Sequence, residues 1–474
     1  MKRISEVCFS ILFVGILFAV PLLILFHGSK IQALYYENRA LSAVPEANAE
    51  DLLSGDYFSQ WDSWLTDHVA GRERLLKLNT WLDYRLLDRP AVNGIVEGEG
   101  GILFPFQAYG TWDLDYLSED AAAVCDSLAQ LDQLVSSYGG RFYYVGLPLQ
   151  NAFYYDRYPD YLENRYWHIS AMTEAFAGAM EERGLAFLDM EPVLRAAQTD
   201  NQPLYAASDH HFNYYGAYLT YRSVMERITA DLGRDLPVLT ADDLTFQALE
   251  NPFLGSRNRK LYGLWPGSEP LTIGVQREPV AFDRTDNGLS VPAQLFRLPT
   301  TPTEPVDYNV YMGGDVAETV LSTHRPELPD LLIFGDSFTN PLETLFYTGF
   351  DETRSLDLRY ADLSLLDYVA EHHPDVVLCI QDAPLSLPTE GNGTIHGGGK
   401  KNGPACLSDT RGHFHFLQLN QRSRQSRTAP SLLEQTTASA TAFSSGAALD
   451  TAAPMPASSS ISLSLGASPT ATTS

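Results

Sequence analysis

Short apolar runs that alternate with helical stretches constrain the fold of this chain more than any other feature. The run at residues 141–147 is rich in aromatic and β-branched residues and is ended by Pro148. Strands that are buried on both faces read as continuous apolar runs, so we predict a parallel sheet with helices on both sides. The sequence thus predicts a three-layer α/β domain with five parallel strands, at residues 141–147, 186–189, 331–334, 354–358 and 375–380.

Helical periodicity marks stretches between and before these strands. We predict helices over residues 57–65, 118–138, 168–183 and 214–232. Residues 237–329 instead carry short alternating runs broken by Pro and Gly. We predict a β-rich insertion there, which supplies substrate contacts and divides the α/β domain into residues 118–236 and 330–390.

An uncharged apolar run at the N-terminus, from about Val7 to Phe26, predicts a membrane anchor. About 20 apolar residues match the hydrocarbon thickness of a bilayer. Lys2 and Arg3 precede the run, which predicts an N-terminus inside and a catalytic domain outside the cell. We therefore predict a single-pass protein of the cell membrane, with residues 1–28 as an uncleaved transmembrane helix and 29–117 as a juxtamembrane region. A cleaved signal peptide and a buried core helix are the alternatives.

The composition changes abruptly in the C-terminal segment, residues 391–474. Hydrophobic patterning disappears there, Ser, Thr, Ala and Gly dominate, and six basic residues outnumber three acidic ones. Such a chain cannot bury enough apolar surface to offset the entropy of ordering. We predict a disordered tail or, as the alternative, a translated frameshift.

Charge and cysteine usage exclude several classes of partner. The formal net charge of -27 opposes binding to nucleic acid and favours a neutral or cationic substrate. Cysteines stand at positions 8, 125, 379 and 406, with no closely spaced pair. The sequence therefore predicts no zinc site, redox motif or disulfide framework, and no cofactor.

The segment Gly335-Asp336-Ser337 follows an apolar strand and precedes a helix. This places the Ser337 hydroxyl at the carboxyl end of a parallel strand, where α/β folds carry their sites. It also lies at a helix N-terminus, where free N–H groups can hold an oxyanion. Gly335 permits a tight turn. Simple helix capping by Asp336 or Ser337 is the alternative.

A second polar segment, Asp209-His210-His211, directly precedes a predicted helix. Asp209 and His211 are two positions apart in what we predict to be an extended segment, so their side chains share one side. A carboxylate can orient a histidine whose other nitrogen removes the proton of a serine, which is a weak nucleophile by itself. Two alternatives are a helix cap at Asp209 beside surface histidines, and a metal site formed by Asp209, His210 and His211.

The run Asp209-His210-His211-Phe212 resembles the D-H-H-W signature of the DHHW family, and Leu332 to Phe338 resembles its G-D-S-F block. Phe212 stands where the family has tryptophan. The wider group is similar to the alginate O-acetyltransferase type of SGNH-hydrolase-like proteins, which includes AlgX and AlgJ. Matching positions span about residues 35–385.

This resemblance implies an SGNH-like domain with Ser337 as nucleophile, His211 as base and Asp209 as the group that orients it. It implies acetyl transfer to a cell-envelope or exported polysaccharide, with a membrane-bound O-acyltransferase as the acetyl donor. Water in place of the sugar would make the protein an esterase. Candidate supporting or oxyanion residues are Gly335, Asp336, His210 and Arg359. A non-catalytic polysaccharide-binding or scaffold protein of a cell-envelope synthesis complex is the alternative.

Overall fold

A computed structural model describes residues 41–382, apart from residues 70, 108–113, 115 and 200–201. It also describes residues 394–396 and a few short stretches before residue 41, of which the longest, residues 9–15, is helical. The rest of the predicted anchor and tail lies mostly outside the described residues. Within the described part, no helix is long and apolar enough to cross a membrane. The anchor, the tail and the domain boundaries therefore stay predictions.

Eleven helices are labelled here in chain order. They are α1 (Ala49–Ser54), α2 (Asp56–Asp67), α3 (Arg72–Trp81), α4 (Leu117–Ser137), α5 (Gln150–Phe153), α6 (Tyr166–Glu182), α7 (Glu191–Ala197), α8 (Tyr214–Leu232), α9 (Ser256–Lys260), α10 (Thr339–Phe346) and α11 (Leu365–His372). Shorter 3-10 turns lie at Glu99–Gly101, Tyr155–Arg157, Ala241–Asp243, Tyr308–Val310 and Tyr347–Gly349, and a π-helical turn lies at Leu82–Leu86. The predicted helices at 57–65, 118–138, 168–183 and 214–232 correspond to α2, α4, α6 and α8, respectively.

The strands are β1 (Ala33–Leu34), β2 (Arg39–Ala40), β3 (Ile95–Glu97), β4 (Leu103–Pro105), β5 (Arg141–Gly146), β6 (Phe187–Asp189), β7 (Leu244–Ala248), β8 (Thr272–Gln276), β9 (Asp283–Asp286), β10 (Leu289–Val291), β11 (Glu318–Ser322), β12 (Leu331–Gly335), β13 (Glu352–Leu356) and β14 (Val376–Gln381). Strands β5, β6, β12, β13 and β14 are the five predicted ones. Their mutual pairing is parallel throughout, as predicted.

The main sheet has eight strands in the order β10-β9-β11-β13-β12-β14-β5-β6. Strands β9, β10 and β11 come from the predicted insertion and join antiparallel. The sheet is therefore mixed: the five predicted strands are mutually parallel, and the insertion adds three antiparallel strands that were not predicted to join them. Strand β11 pairs with β13 and covers a strand edge that would otherwise stay open.

The central parallel strands β5, β12 and β14 are buried on both faces. In β12, Leu331 and Ile333 point to a core that includes residues of α8, whereas Leu332 and Phe334 point to a core formed with α4 and α6. Side chains of a strand alternate between the faces of a sheet, so an unbroken apolar run requires helices on both sides. The three-layer α/β fold is confirmed.

Glu343 carries a buried carboxyl group on α10, the helix that follows the serine turn. It accepts hydrogen bonds from the Ser355 hydroxyl at 2.6 Å and the Thr339 hydroxyl at 2.9 Å. Burial raises the pKa of Glu343 to about 7, against the opposing effect of these two hydrogen bonds. The folded protein therefore binds this proton more tightly than the unfolded chain does.

Because the folded pKa exceeds the ordinary value of 4.5, the stabilising effect of the protonated acid is complete at low pH and is lost as the pH rises toward 7. Glu343→Gln removes this loss. We expect the stability of the variant, relative to the wild type, to increase by up to about 3 kcal/mol between about pH 4.5 and 8. Urea unfolding across this pH range measures it. Glu304→Gln, at an exposed position, is the control, and its stability should vary with pH as that of the wild type does. The prediction would be contradicted if the stability of Glu343→Gln varied with pH in the same way as the wild type.

Candidate active site

The structure brings together three side chains that the sequence singled out. His211 Nδ1 lies 2.6 Å from Asp209 Oδ1, and His211 Nε2 lies 2.7 Å from Ser337 Oγ. Asp209 and His211 are 2% and 4% exposed, so water does not compete freely for these hydrogen bonds. The result is a continuous carboxylate, imidazole and hydroxyl chain, which is the arrangement that activates a serine.

The serine lies on a sharp turn between β12 and α10. Helix α10 starts at Thr339, and its N-cap, Phe338, makes no capping hydrogen bond with its side chain. Asp336 Oδ1 instead accepts the Phe338 N–H at 2.9 Å. Asp336 thus holds the turn, while the Ser337 hydroxyl is left to bond His211, so capping by Ser337 was the wrong alternative.

The backbone N–H of Ser337 is available to a ligand. Within the part of the chain that the structure describes, it donates to no hydrogen-bond acceptor. An N–H at the nucleophile itself is well placed to bind the oxygen that becomes negative in acyl transfer. The oxyanion role that the sequence predicts for free N–H groups at this turn stays a prediction.

The segment that carries Asp209 and His211 is bent, not extended as predicted. Asp209 Oδ1 accepts the backbone N–H of His211 at 3.1 Å as well as Nδ1–H. A hydrogen bond from a backbone N–H to the side chain of the aspartate two residues earlier defines an Asx-turn. The cap of α8 is Asn213, whose Oδ1 accepts the N–H groups of Tyr215 and Gly216. Asp209 is therefore not the helix cap.

The second oxygen of Asp209 is also satisfied. Asp209 Oδ2 accepts the Ser256 N–H at 2.6 Å, from the first residue of α9. Burial opposes ionisation of Asp209, but the charge and hydrogen bond of His211 hold the pKa of the carboxyl well below its usual range. Asp209 therefore stays a carboxylate and keeps His211 in one orientation and tautomer.

The insertion holds the Asp209 segment in place, a role that sequence reasoning missed. Glu269 accepts the N–H groups of Ala207 and Ser208 at 2.7 Å each, and the Ser208 hydroxyl at 2.5 Å. A Cβ atom at Gly255 would lie 2.4 Å from the Ser208 carbonyl oxygen, so only glycine allows this close approach. No local pattern marks Glu269 or Gly255, because their partners are distant in sequence.

A buried cation balances the buried carboxylate. Arg257 on α9 donates hydrogen bonds to the Leu103 carbonyl and to Gln150 Oε1. Burial lowers the pKa of Arg257 to about 10, while Asp209 and Asp382 act in the opposite direction. The guanidinium therefore remains charged at neutral pH.

His210, a predicted supporting residue, lies beside the relay, with its Nδ1 3.4 Å from Asp209 Oδ1. Its Nδ1 lies 2.9 Å from Ser256 Oγ. Asp209, His210 and His211 can each offer a ligand atom, and these atoms lie within 4.8 Å of one another. Both nitrogens of His211 are, however, hydrogen-bonded to Asp209 and Ser337. This geometry favours the serine chain over the metal alternative.

Arg359, another predicted supporting residue, is held by acidic partners. Its Nη2 lies 2.6 Å from Asp357 Oδ2 and 2.9 Å from Asp315 Oδ2. Burial acts against its charge, but Asp357 and Asp315 more than offset this and raise the pKa of Arg359. Asp315 also accepts a hydrogen bond from Asn340 on α10. The structure describes no contact between Arg359 and Ser337. Gly335 lies where the backbones of β12 and β14 approach closely.

Comparison with known proteins supports the family resemblance. Residues 95–272 match the family model described as an SGNH hydrolase-like domain of the acetyltransferase AlgX. The chain resembles the AlgX type of SGNH hydrolase-like protein. The matched range contains Asp209 and His211 but ends before Ser337, and it covers less than half of the chain. The resemblance that the sequence motifs indicated is confirmed.

Solved structures share the fold of the SGNH-like domain. Bacillus cereus PatB1 is 18% identical over 61% of this chain and 96% of that protein, with a TM-score of 0.51. PatB1 with a sulfonyl adduct has a TM-score of 0.50 at the same identity, over 61% and 95% of the two chains. A DHHW family protein from Eubacterium siraeum DSM 15702 is 20% identical over 61% and 91%, with a TM-score of 0.46. Among proteins with curated functions, none has a significantly similar sequence.

Proposed function

We propose that this chain is an O-acetyltransferase that modifies a polysaccharide through an acetyl-Ser337 intermediate. The observation that carries the proposal is the hydrogen-bonded chain from Asp209 through His211 to Ser337, with distances of 2.6 and 2.7 Å. Acetyl transfer is supported by the match to the domain of an acetyltransferase. A neutral or cationic glycan suits the acidic chain better than a polyanion does.

In the first half of the proposed reaction, His211 Nε2 takes the Ser337 proton as Oγ attacks the carbonyl carbon of an acetyl ester. The bond to the leaving alcohol breaks, and His211 returns the proton to that alcohol. The Ser337 N–H binds the carbonyl oxygen while it carries negative charge. In the second half, His211 deprotonates a sugar hydroxyl, whose oxygen takes the acetyl group; the bond to Ser337 Oγ breaks, and His211 returns the proton to Oγ. Attack by water instead would make the reaction ester hydrolysis.

Intact mass of the full chain after brief exposure to p-nitrophenyl acetate tests the acyl-serine step. We expect one acetyl adduct on the wild type and none on Ser337→Ala, because the hydroxyl that forms the ester is absent. Ser290→Ala, an exposed serine on β10, is the control and should keep the adduct. Phenylmethylsulfonyl fluoride offers a second probe, since PatB1 has been observed with a sulfonyl adduct.

Two results would contradict the proposal. An adduct that persists in Ser337→Ala would place the nucleophile elsewhere. If the folded wild-type chain forms no adduct, a non-catalytic glycan-binding or scaffold protein is favoured instead. Glycan binding by such a protein should be unchanged in Ser337→Ala.

We further propose that the chain is anchored in the cell membrane with its SGNH-like domain outside. The uncharged run from about Val7 to Phe26, preceded by Lys2 and Arg3, supports this orientation. An outside domain would meet a polysaccharide acceptor, and the family resemblance suggests a membrane-bound O-acyltransferase as its acetyl donor. Retention in membranes after alkaline extraction, together with digestion by protease added to intact cells, is expected. Release by alkali, or protection from the protease, would contradict it.

A further inference from the structure

An aromatic ring lies flat against the imidazole of His211. The rings of Tyr308 and His211 have centroids 3.6 Å apart and an interplanar angle of only 7°. Tyr308 is 6% exposed and His211 is 4% exposed, so the stack is closed to bulk water. His210 contacts His211 as well, with centroids 3.7 Å apart and an angle of 37°. The parallel face contact is therefore the one made by Tyr308.

The position of the Tyr308 ring is fixed by groups other than His211. Tyr308 opens a 3-10 turn whose N-cap, Asp307, accepts the Asn309 N–H at 3.0 Å. Asp307 Oδ2 also lies 3.2 Å from Arg259 Nη1. The Tyr311 ring packs edge-on against Tyr308, with centroids 5.0 Å apart. The insertion thus presents a preformed aromatic face to the histidine.

The hydroxyl of Tyr308 does not explain the placement of the ring. Its Oη is buried and has no hydrogen-bond partner among the described residues. Burial raises the pKa of Tyr308, and the neighbouring Tyr311 and Asp209 raise it further, so the phenol stays neutral. What Tyr308 offers to His211 is therefore an uncharged π face.

His211 becomes positively charged each time it takes a proton from Ser337 or from an acceptor hydroxyl. An aromatic face carries the negative part of the ring quadrupole and attracts a cation most strongly where water is excluded. We propose that Tyr308 is a positioning residue that stabilises the imidazolium of His211 during proton transfer, an inference that rests on the proposed function. It acts through His211 and together with Asp209, which bonds the edge of the same ring.

A fluorination series separates this effect from simple packing. Position 308 of the full chain is replaced by Phe, 4-fluoro-Phe, 3,5-difluoro-Phe and 3,4,5-trifluoro-Phe, which nearly conserve shape but weaken the π face in steps. The rate of Ser337 acylation by p-nitrophenyl acetate is measured by the initial release of p-nitrophenol. We expect the logarithm of this rate to fall in steps, to about tenfold below Phe for the trifluoro variant, or ~1.4 kcal/mol. KM should not change.

The same series at Phe176, a fully buried ring in the core on the other face of the sheet, is the control and should be flat. Equal rates along the series at position 308 would overturn the inference and leave the proposed function intact. No acylation by the wild type would overturn the proposed function and this inference with it.

Discussion

His211→Ala is expected to slow acylation of Ser337 by about 10²–10⁴-fold, the range typical of a general base. The variant removes the atom that lies 2.7 Å from Ser337 Oγ, so no group remains to accept the hydroxyl proton. Stopped-flow measurement of p-nitrophenol release from p-nitrophenyl acetate gives the rate. The intact mass of the same samples shows whether an acetyl group is on the protein.

The neighbouring histidine provides the matched comparison. His210→Ala removes a ring that bonds Ser256 and packs against the His211 ring, but it leaves both hydrogen bonds of His211 in place. We expect it to lose less than about tenfold, because the relay itself is intact. Equal losses in the two variants would mean that the pair acts as one structural unit and would count against His211 as the base.

Gly335→Ala is expected to lower the free energy of unfolding by about 3 kcal/mol or more, the upper part of the range for overpacking a core. A Cβ atom at this position would lie 1.9 Å from the carbonyl oxygen of Ile380, the residue paired with it on β14. Backbone atoms of two central strands would have to separate. Because Ser337 follows by two residues, acylation should fall as well. Urea unfolding monitored by circular dichroism measures the loss.

Gly178→Ala is the control for this substitution. Gly178 lies on the exposed side of α6, and a Cβ atom there would meet nothing within 4 Å. Alanine in a helix interior is favoured over glycine by roughly 0.5–1 kcal/mol, so this variant should be slightly more stable than the wild type. A Gly335→Ala protein as stable as the wild type would show that β12 and β14 are not so closely packed.

The insertion supplies several of the groups that hold the candidate active site in place. Glu269, Ser256 and Tyr308 all come from residues 237–329. Glu269 bonds Ser208, Ser256 bonds Asp209, and the Tyr308 ring stacks on His211. The sequence led us to expect substrate contacts from this region. In the structure the insertion also holds Asp209 and His211 in place. We therefore expect substitutions in the insertion to change the proposed acetyl transfer even where they do not contact the substrate.

The five parallel strands, the helices between them and the grouping of Asp209, His211 and Ser337 could be predicted from the sequence. These features are local: an unbroken apolar run requires burial on both faces, and Asp209, His211 and Ser337 stand in recognisable segments beside element ends. Only the tertiary structure decided where the insertion strands pair, since short alternating runs fit many sheet edges. It also decided the bend at Asp209 and the contacts of Glu269 and Tyr308. These contacts join residues that are far apart in the sequence and come together only in the packed core. No local sequence pattern therefore predicts them.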